Sequence, residues 1–230
     1  MYTANKIRWL TLFVLALIQS IASAAAPPLP DGFVDLEAAI PSIKLEMRYA
    51  GDNNFTGRPV AGYLKPRGIL TSEAATALKG VRDELLPFGL GLKVFDAYRP
   101  QRAVDSFVRW AEDLDDTLAK ARYYPEVAKE DLFKEGYIAA RSSHSRGSTV
   151  DLTIIELASG AELDMGSPFD YFGPVSWPDS TLVSPSLRAH RLLLRALMVK
   201  HGFNPYAQEW WHFTLAAEPY PETYFDFPVE

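Results

Sequence analysis

Ser142-Ser143-His144-Ser145-Arg146-Gly147-Ser148-Thr149-Val150-Asp151 decides how this chain is built. Thr149 to Leu157 alternates enough, and is β-branched enough, to form a strand, and that strand carries Asp151. His144 precedes Asp151 by seven residues; on one straight strand an odd separation puts two side chains on opposite faces. For them to share a task the chain must turn between them, and Gly147 permits the turn. Glu209-Trp210-Trp211-His212 poses the same parity problem. Asn204-Pro205-Tyr206 just before it predicts an irregular strand start at Glu209, with His212 pointing inward.

These two segments bring together two imidazoles and two carboxylates. A catalytic zinc ion takes three protein ligands and keeps a fourth position for water, while an unligated carboxylate nearby handles that water's protons. His144, Asp151 and His212 are the expected ligands of one zinc ion per chain, and Glu209 is the expected base. Trp210 and Trp211 serve equally as core residues and as walls that keep bulk water away. The chain has four histidines. His190 and His201 fall among Arg188, Arg191, Arg195 and Lys200 on a helix and read as solvent-facing or partly packed side chains. Arg99, in Asp96-Ala97-Tyr98-Arg99-Pro100, is the candidate electrophilic helper, because a guanidinium stays charged and donates in a planar fork to a developing oxyanion or a carboxylate. Asp96 is placed to orient it. An Arg-Pro at a corner is also an ordinary structural feature.

Lys6 and Arg8 precede an apolar run from Trp9 to Ile21, which ends in Ala22-Ser23-Ala24-Ala25-Ala26. About 13 apolar residues fall short of the ~20 that span a bilayer, and the small residues offer a cleavage site near Ala24 or Ala25. Residues 1–25 therefore read as a signal peptide, with an uncleaved anchor as the rival, and the expected location is the periplasm, with no stable membrane insertion once the signal is cleaved. Residues 26–31, with Pro27, Pro28 and Pro30, read as a leader, and 32–230 as one domain. Removing residues 1–25 takes away two basic residues and no acidic ones, so the net charge of -6 becomes -8. Nucleic acid and anionic membranes bind clustered Lys and Arg, so neither is an expected partner. The chain has no cysteine, which removes thiol nucleophiles and thiolate ligands.

Thr71 or Ser72 caps a predicted helix with Ala75, Leu78, Val81 and Leu85 at helical spacing, broken by Gly89 to Gly91. Leu92 to Tyr98 follows as a strand. Pro100 opens a helix whose apolar face is Val104, Phe107, Val108 and Ala111, so Arg99 sits at a strand-to-helix corner. Residues 112–141 are irregular. Ser186 caps a long helix with Leu187, Leu193, Leu194 and Leu197 toward the core and Gly202 at its end, and Trp210 to Leu215 is the last strand. This order predicts an α+β domain, an antiparallel sheet covered by helices. There is no His-Glu-x-x-His, His-x-His, Gly-x-Ser-x-Gly or Ser-x-x-Lys, so the gluzincin, lysostaphin-type and serine routes lack their parts.

The chain resembles the D-alanyl-D-alanine dipeptidases, vancomycin-resistance-type zinc peptidases related to D-Ala-D-Ala carboxypeptidases and to the hedgehog amino-terminal domain. Ser142, His144, Gly147 and Asp151 meet the signature Ser-x-His-x-x-Gly-x-Ala-x-Asp, and Glu209 and His212 meet Glu-x-x-His. Arg99 in Tyr-Arg-Pro, Tyr49 in Arg48-Tyr49-Ala50 with Asn53-Asn54-Phe55, and Met165-Gly166-Ser167-Pro168-Phe169-Asp170 extend the likeness from about Val34 to the carboxyl end. Thr149 stands where the signature has Ala. The resemblance implies a hedgehog/D,D-peptidase-like fold and hydrolysis of D-Ala-D-Ala, with His144, Asp151 and His212 on zinc, Glu209 as base and Arg99 on the oxyanion. It also implies that Asp170 receives the dipeptide's ammonium, Ser142 its carboxylate, and that Tyr49 assists. Two alternatives stay open. One is a D,D-carboxypeptidase or endopeptidase that trims murein stem peptides in an open cleft, against which Asp170 and the Tyr49 block argue. The other is a zinc- or cell-wall-binding module without catalysis, against which Glu209 and Arg99 argue.

Overall fold

The computed structural model describes residues 28–230. The signal-peptide expectation lies outside the described residues, as do Ala26 and Pro27 of the leader. Among the described residues no helix is long and apolar enough to cross a membrane.

β5 (Thr149–Glu156) is the middle strand of a five-stranded sheet, ordered β2 (Lys44–Leu45), β4 (Leu90–Asp96), β5, β7 (Glu209–Leu215) and β6 (Phe203–Tyr206). All neighbours are antiparallel except β2, which runs parallel to β4. β1 (Phe33–Asp35) and β3 (Ile69–Thr71) form a separate antiparallel pair. The α+β class expected from the sequence holds, with one parallel edge added. β5 is buried on both faces up to Glu156, so its residues have no solvent-facing set.

Short α1 (Leu36–Ala39) is capped by the Asp35 carboxylate. α2 (Ser72–Leu85) starts at Thr71, whose hydroxyl accepts from the Ala74 N–H. Its buried positions Ala75, Leu78, Val81 and Leu85 lie on one stripe and pack against β4. α3 (Gln101–Glu112) follows Pro100 and buries Val104, Phe107 and Ala111. The strand before it is Leu90–Asp96 rather than Leu92–Tyr98, which leaves Ala97 to Pro100 as the corner. Residues 112–141 hold α4 (Lys120–Tyr123) and a 3₁₀ turn at Lys129–Asp131.

α5 (Pro185–Lys200) is capped by Ser184, two residues before the expected Ser186, because Pro185 takes the first helical position where no N–H is needed. The buried stripe runs at helical spacing through Leu187, Arg191, Leu194 and Met198, and Leu193, about 100° around the helix from Leu194, falls outside it. Arg191, Leu194 and Met198 face inward, Leu187 and Leu197 are half-buried, and Leu193 faces solvent. Gly202 lies beyond the cap with φ 87°, as expected for a helix stop.

Gly147 ends a 3₁₀ turn, Ser143–Arg146, with φ 83°. A side chain there would be strained by the backbone and would strike the Phe33 ring, whose Cζ lies 2.7 Å from the added Cβ. Gly147→Ala is expected to cost about 2–4 kcal/mol, read as a lowered urea midpoint. An unmoved midpoint would show that the turn relaxes freely.

Candidate metal centre

Strand register places the carboxylate and one imidazole side by side. Asp151 pairs with His212 across β5–β7 and with Asp96 across β4–β5, so the three side chains share one face at one end of the sheet. A bulge between Val94 and Asp96 brings Asp96 onto that face. The second imidazole comes from the turn before β5. Ser142 accepts from the His144 N–H with its hydroxyl and starts the 3₁₀ turn, and left-handed Gly147 then feeds the chain into β5. Glu209 reaches the same place through an irregular hairpin. Asn204 to Pro205 pair with Thr214 to Phe213, but Tyr206 pairs with Glu209, so three residues of β7 have no opposite number and the odd spacing from Glu209 to His212 is absorbed there.

His144 Nε2, His212 Nδ1 and the Asp151 carboxylate form a triangle. The two nitrogens are 3.3 Å apart, His144 Nε2 is 3.3 Å from Asp151 Oδ2, and His212 Nδ1 is 3.1 Å from Oδ1. A tetrahedral zinc with bonds of about 2.0–2.1 Å spaces its ligands roughly 3.3 Å apart. Asp151 Oδ1 is buried without a hydrogen-bond partner, as an oxygen kept for a cation would be. The donor set and its spacing therefore fit a small dication. These three residues alone form such a cluster among the described residues. His190 contacts the Asp164 carbonyl and His201 the Glu84 carboxylate.

Each imidazole is aimed by the atom behind it. His144 Nδ1 donates to the Ala97 carbonyl at 2.7 Å, which leaves Nε2 free to face the centre. His212 Nε2 lies 3.4 Å from Ser143 Oγ, which leaves its Nδ1 facing the centre. Burial holds the His144 imidazole below its ordinary value against the pull of Asp151, which suits a neutral ligand. For His212, burial is outweighed by Asp151 and Glu209, and its pKa is raised. Burial opposes the Asp151 charge too, yet the two imidazoles hold that carboxylate well below the usual range.

Glu209 Oε2 sits 3.4 Å from His212 Nδ1, beside the triangle and outside it. Burial pushes its carboxyl up to about 7, with His212 drawing it down and Asp151 adding to the rise. Arg99 donates from Nε to Asp96 Oδ2 at 2.9 Å and turns Nη2 toward Asp151 Oδ2 at 3.7 Å. Its guanidinium lies over the Tyr49 ring at 4.9 Å and the Phe107 ring at 5.3 Å. Tyr63 donates to the other Asp96 oxygen at 2.6 Å. Sequence reasoning linked Asp96 to Arg99 but missed Tyr63, Ser143 and the Ala97 carbonyl. A lone tyrosine and a backbone oxygen leave no pattern to read, whereas Ser143 adjoins His144 and was open to notice.

Tyr49 and Asp170 meet in the same pocket. The Tyr49 hydroxyl donates to Asp170 Oδ2 at 2.9 Å, and Asp170 has the left-handed φ of 61°. Burial, with Asp151 and Glu209 nearby, raises the Asp170 carboxyl well above the usual range. Ser142 lines the pocket while serving as the turn's cap. The cavity has about 320 Å³, with Tyr137, Phe172 and Tyr206 among its walls and Arg99, Glu209 and the triangle inside.

Residues 30–230 match the family described as D-ala-D-ala dipeptidase. A D-alanyl-D-alanine dipeptidase from Streptomyces coelicolor is 44% identical over 197 residues, covering 86% of this chain and 98% of the relative. One from Enterococcus faecalis is 42% identical over 199 residues, with the same coverage of 86% and 98%. A solved structure of a vancomycin-resistance D,D-pentapeptidase in complex with Zn(II) aligns with 67% of this chain and 77% of its own at 16% identity and a TM-score of 0.41.

Proposed function

The chain belongs to the D-Ala-D-Ala dipeptidase family, and on that footing we propose that it hydrolyses free D-alanyl-D-alanine to two D-alanines, with zinc held by His144, Asp151 and His212. The ligand triangle, its edges of 3.1–3.3 Å matching a tetrahedral ion, carries the reading. Zinc bound there supplies a Lewis acid and lowers the pKa of a coordinated water.

The chain's own groups do the rest. Glu209 stands beside the ligands without being spent on coordination, so its Oε2 takes the proton of the attacking water and returns it to the departing amine. Arg99, fixed by Asp96, offers Nη2 to the oxyanion that develops on the carbonyl. Asp170, gripped by Tyr49, receives the substrate's ammonium, whose positive charge draws the raised carboxyl back toward its ionised form, and Ser142 offers its hydroxyl to the carboxylate. Asp170 and Tyr49, which meet in the pocket to hold a free ammonium, support a dipeptide over a murein stem peptide.

Location outside the cytoplasm, in the periplasm beside the cell wall, belongs to the same reading and rests on the sequence of residues 1–25 alone. Amino-terminal sequencing of the protein purified from its native envelope is expected to start near Ala25 or Ala26.

The test of function is a panel. The zinc-loaded protein should release alanine from D-Ala-D-Ala, lose that activity with chelator, and leave a murein pentapeptide largely intact. Rapid trimming of the pentapeptide with slow dipeptide turnover would reverse the assignment. Glu209 must be ionised to accept a proton, so kcat is expected to fall as pH drops through its pKa. Burial places that pKa at about 7 and a bound dication draws it back toward the ordinary 4.5, so the acid limb should lie between these values. Glu209→Gln should flatten the limb; an unchanged limb in that variant would assign it to another group.

A further inference from the structure

Arg191 is a buried cation outside the metal centre. It projects from the middle of α5, is 2% exposed, and has no carboxylate within ion-pair distance among the described residues. Its partners are neutral: Nε donates to the Met165 carbonyl at 2.6 Å, Nη1 to the Trp177 carbonyl at 2.7 Å, and Nη2 to Ser167 Oγ at 3.4 Å. Burying a charge is costly unless its donors are hydrogen-bonded, and these three acceptors hold the guanidinium in one place. Here the guanidinium fastens both ends of the segment from Met165 to Trp177 to one helix. Ser167 adds a second tie, since its hydroxyl also accepts from Trp210 Nε1 at 3.0 Å, next to Glu209 on β7.

Asp170 lies in the middle of that segment, in a backbone conformation that L side chains rarely adopt. Such a residue keeps its conformation only where the surroundings over-determine it. Phe169, stacked on Phe95 at 4.7 Å, anchors the segment from inside. Arg191 fixes where the segment begins and ends, so a loss of its contacts would let Asp170 swing relative to Tyr49 and the pocket.

We propose that Arg191 is a positioning residue for substrate specificity, which clamps the Met165–Trp177 segment so that Asp170 meets the ammonium of a free dipeptide and the enzyme prefers free over amino-blocked D-Ala-D-Ala. The inference rests on the reading of Asp170 given above and adds a residue that never touches substrate. Displacement of a binding group by about 1 Å costs on the order of a hundredfold in the reactions that depend on it, so a sizeable effect is expected from a residue at this remove.

The experiment compares kcat and KM for D-Ala-D-Ala and N-acetyl-D-Ala-D-Ala in the zinc-loaded wild type, Asp170→Asn and Arg191→Met, with zinc content measured in each. Wild type should prefer the free dipeptide, and Asp170→Asn should lose that preference. Arg191→Met should lose it as well, through a KM for the free dipeptide raised at least about tenfold, with kcat and zinc content retained. A purely structural role would lower stability and active fraction without changing the preference. If Asp170→Asn loses the preference and folded Arg191→Met keeps it, the proposal is overturned. If Asp170→Asn keeps it, the ammonium reading itself fails and the proposal with it. Should Arg191→Met lose its fold, Arg191→Lys, which retains the buried charge but not the fork that spans both carbonyls, is judged by the same split.

Discussion

Glu209→Ala should retain a full complement of zinc and lose roughly 10²- to 10⁴-fold in kcat on D-Ala-D-Ala, the usual contribution of a positioned acid–base group. Retention follows from the geometry. The three ligand atoms close their triangle without Glu209, and the imidazoles are aimed by Ala97 and Ser143, neither of which depends on it. KM should change little, because the water's proton is a feature of the reaction and not of the bound dipeptide. Loss of zinc along with activity would mean that Glu209 is a ligand, and unchanged kcat would mean that it is not the base.

Arg99→Ala should be the next most damaging change, in two separable ways. Removal of a donor aimed at a developing oxyanion costs roughly 10²–10³-fold in kcat. It also strips the fully buried Asp96 of its Nε partner, and an uncompensated buried charge destabilises by about 3–5 kcal/mol. Tyr63 still donates to Asp96, which places the stability loss toward the lower end. Kinetics on the folded fraction together with a urea midpoint distinguish the two effects. A variant with lowered stability and wild-type kcat would reduce Arg99 to a structural ion pair.

Much of the centre is legible in the sequence because its difficulties are themselves informative. His144 and Asp151 at an odd spacing demanded a turn, and the only glycine between them adopts the left-handed conformation of one. Glu209 and His212 demanded an irregular hairpin, and the β6–β7 register slips there. α2 and α3 were legible because long amphipathic stripes with cap residues are local signals.

The remainder depended on partners far away in sequence. Two-residue β2 exists because β4 offers a free edge, and β6 carries Pro205, tolerated only because the strand is itself an edge. Residues 112–141 look irregular because they are organised by long-range contacts: Lys129, laid over the Trp110 ring at 4.2 Å, donates to the Asp116 carbonyl at 2.6 Å. Ser-Pro at 184–185 carries the helix start two residues before Ser186, and Leu193 faces solvent because it lies about 100° around the helix from buried Leu194. Arg191 falls at helical spacing between Leu187 and Leu194, on the apolar stripe of α5, but a charged side chain there gives no sign in the sequence of the carbonyls that satisfy it.

The most direct test is a zinc-edge anomalous difference map from crystals of the zinc-loaded Glu209→Ala protein. It should show one peak per chain, within about 2.0–2.2 Å of His144 Nε2, His212 Nδ1 and an Asp151 oxygen. A peak placed elsewhere, or one that omits any of the three, would contradict the assignment on which the rest depends.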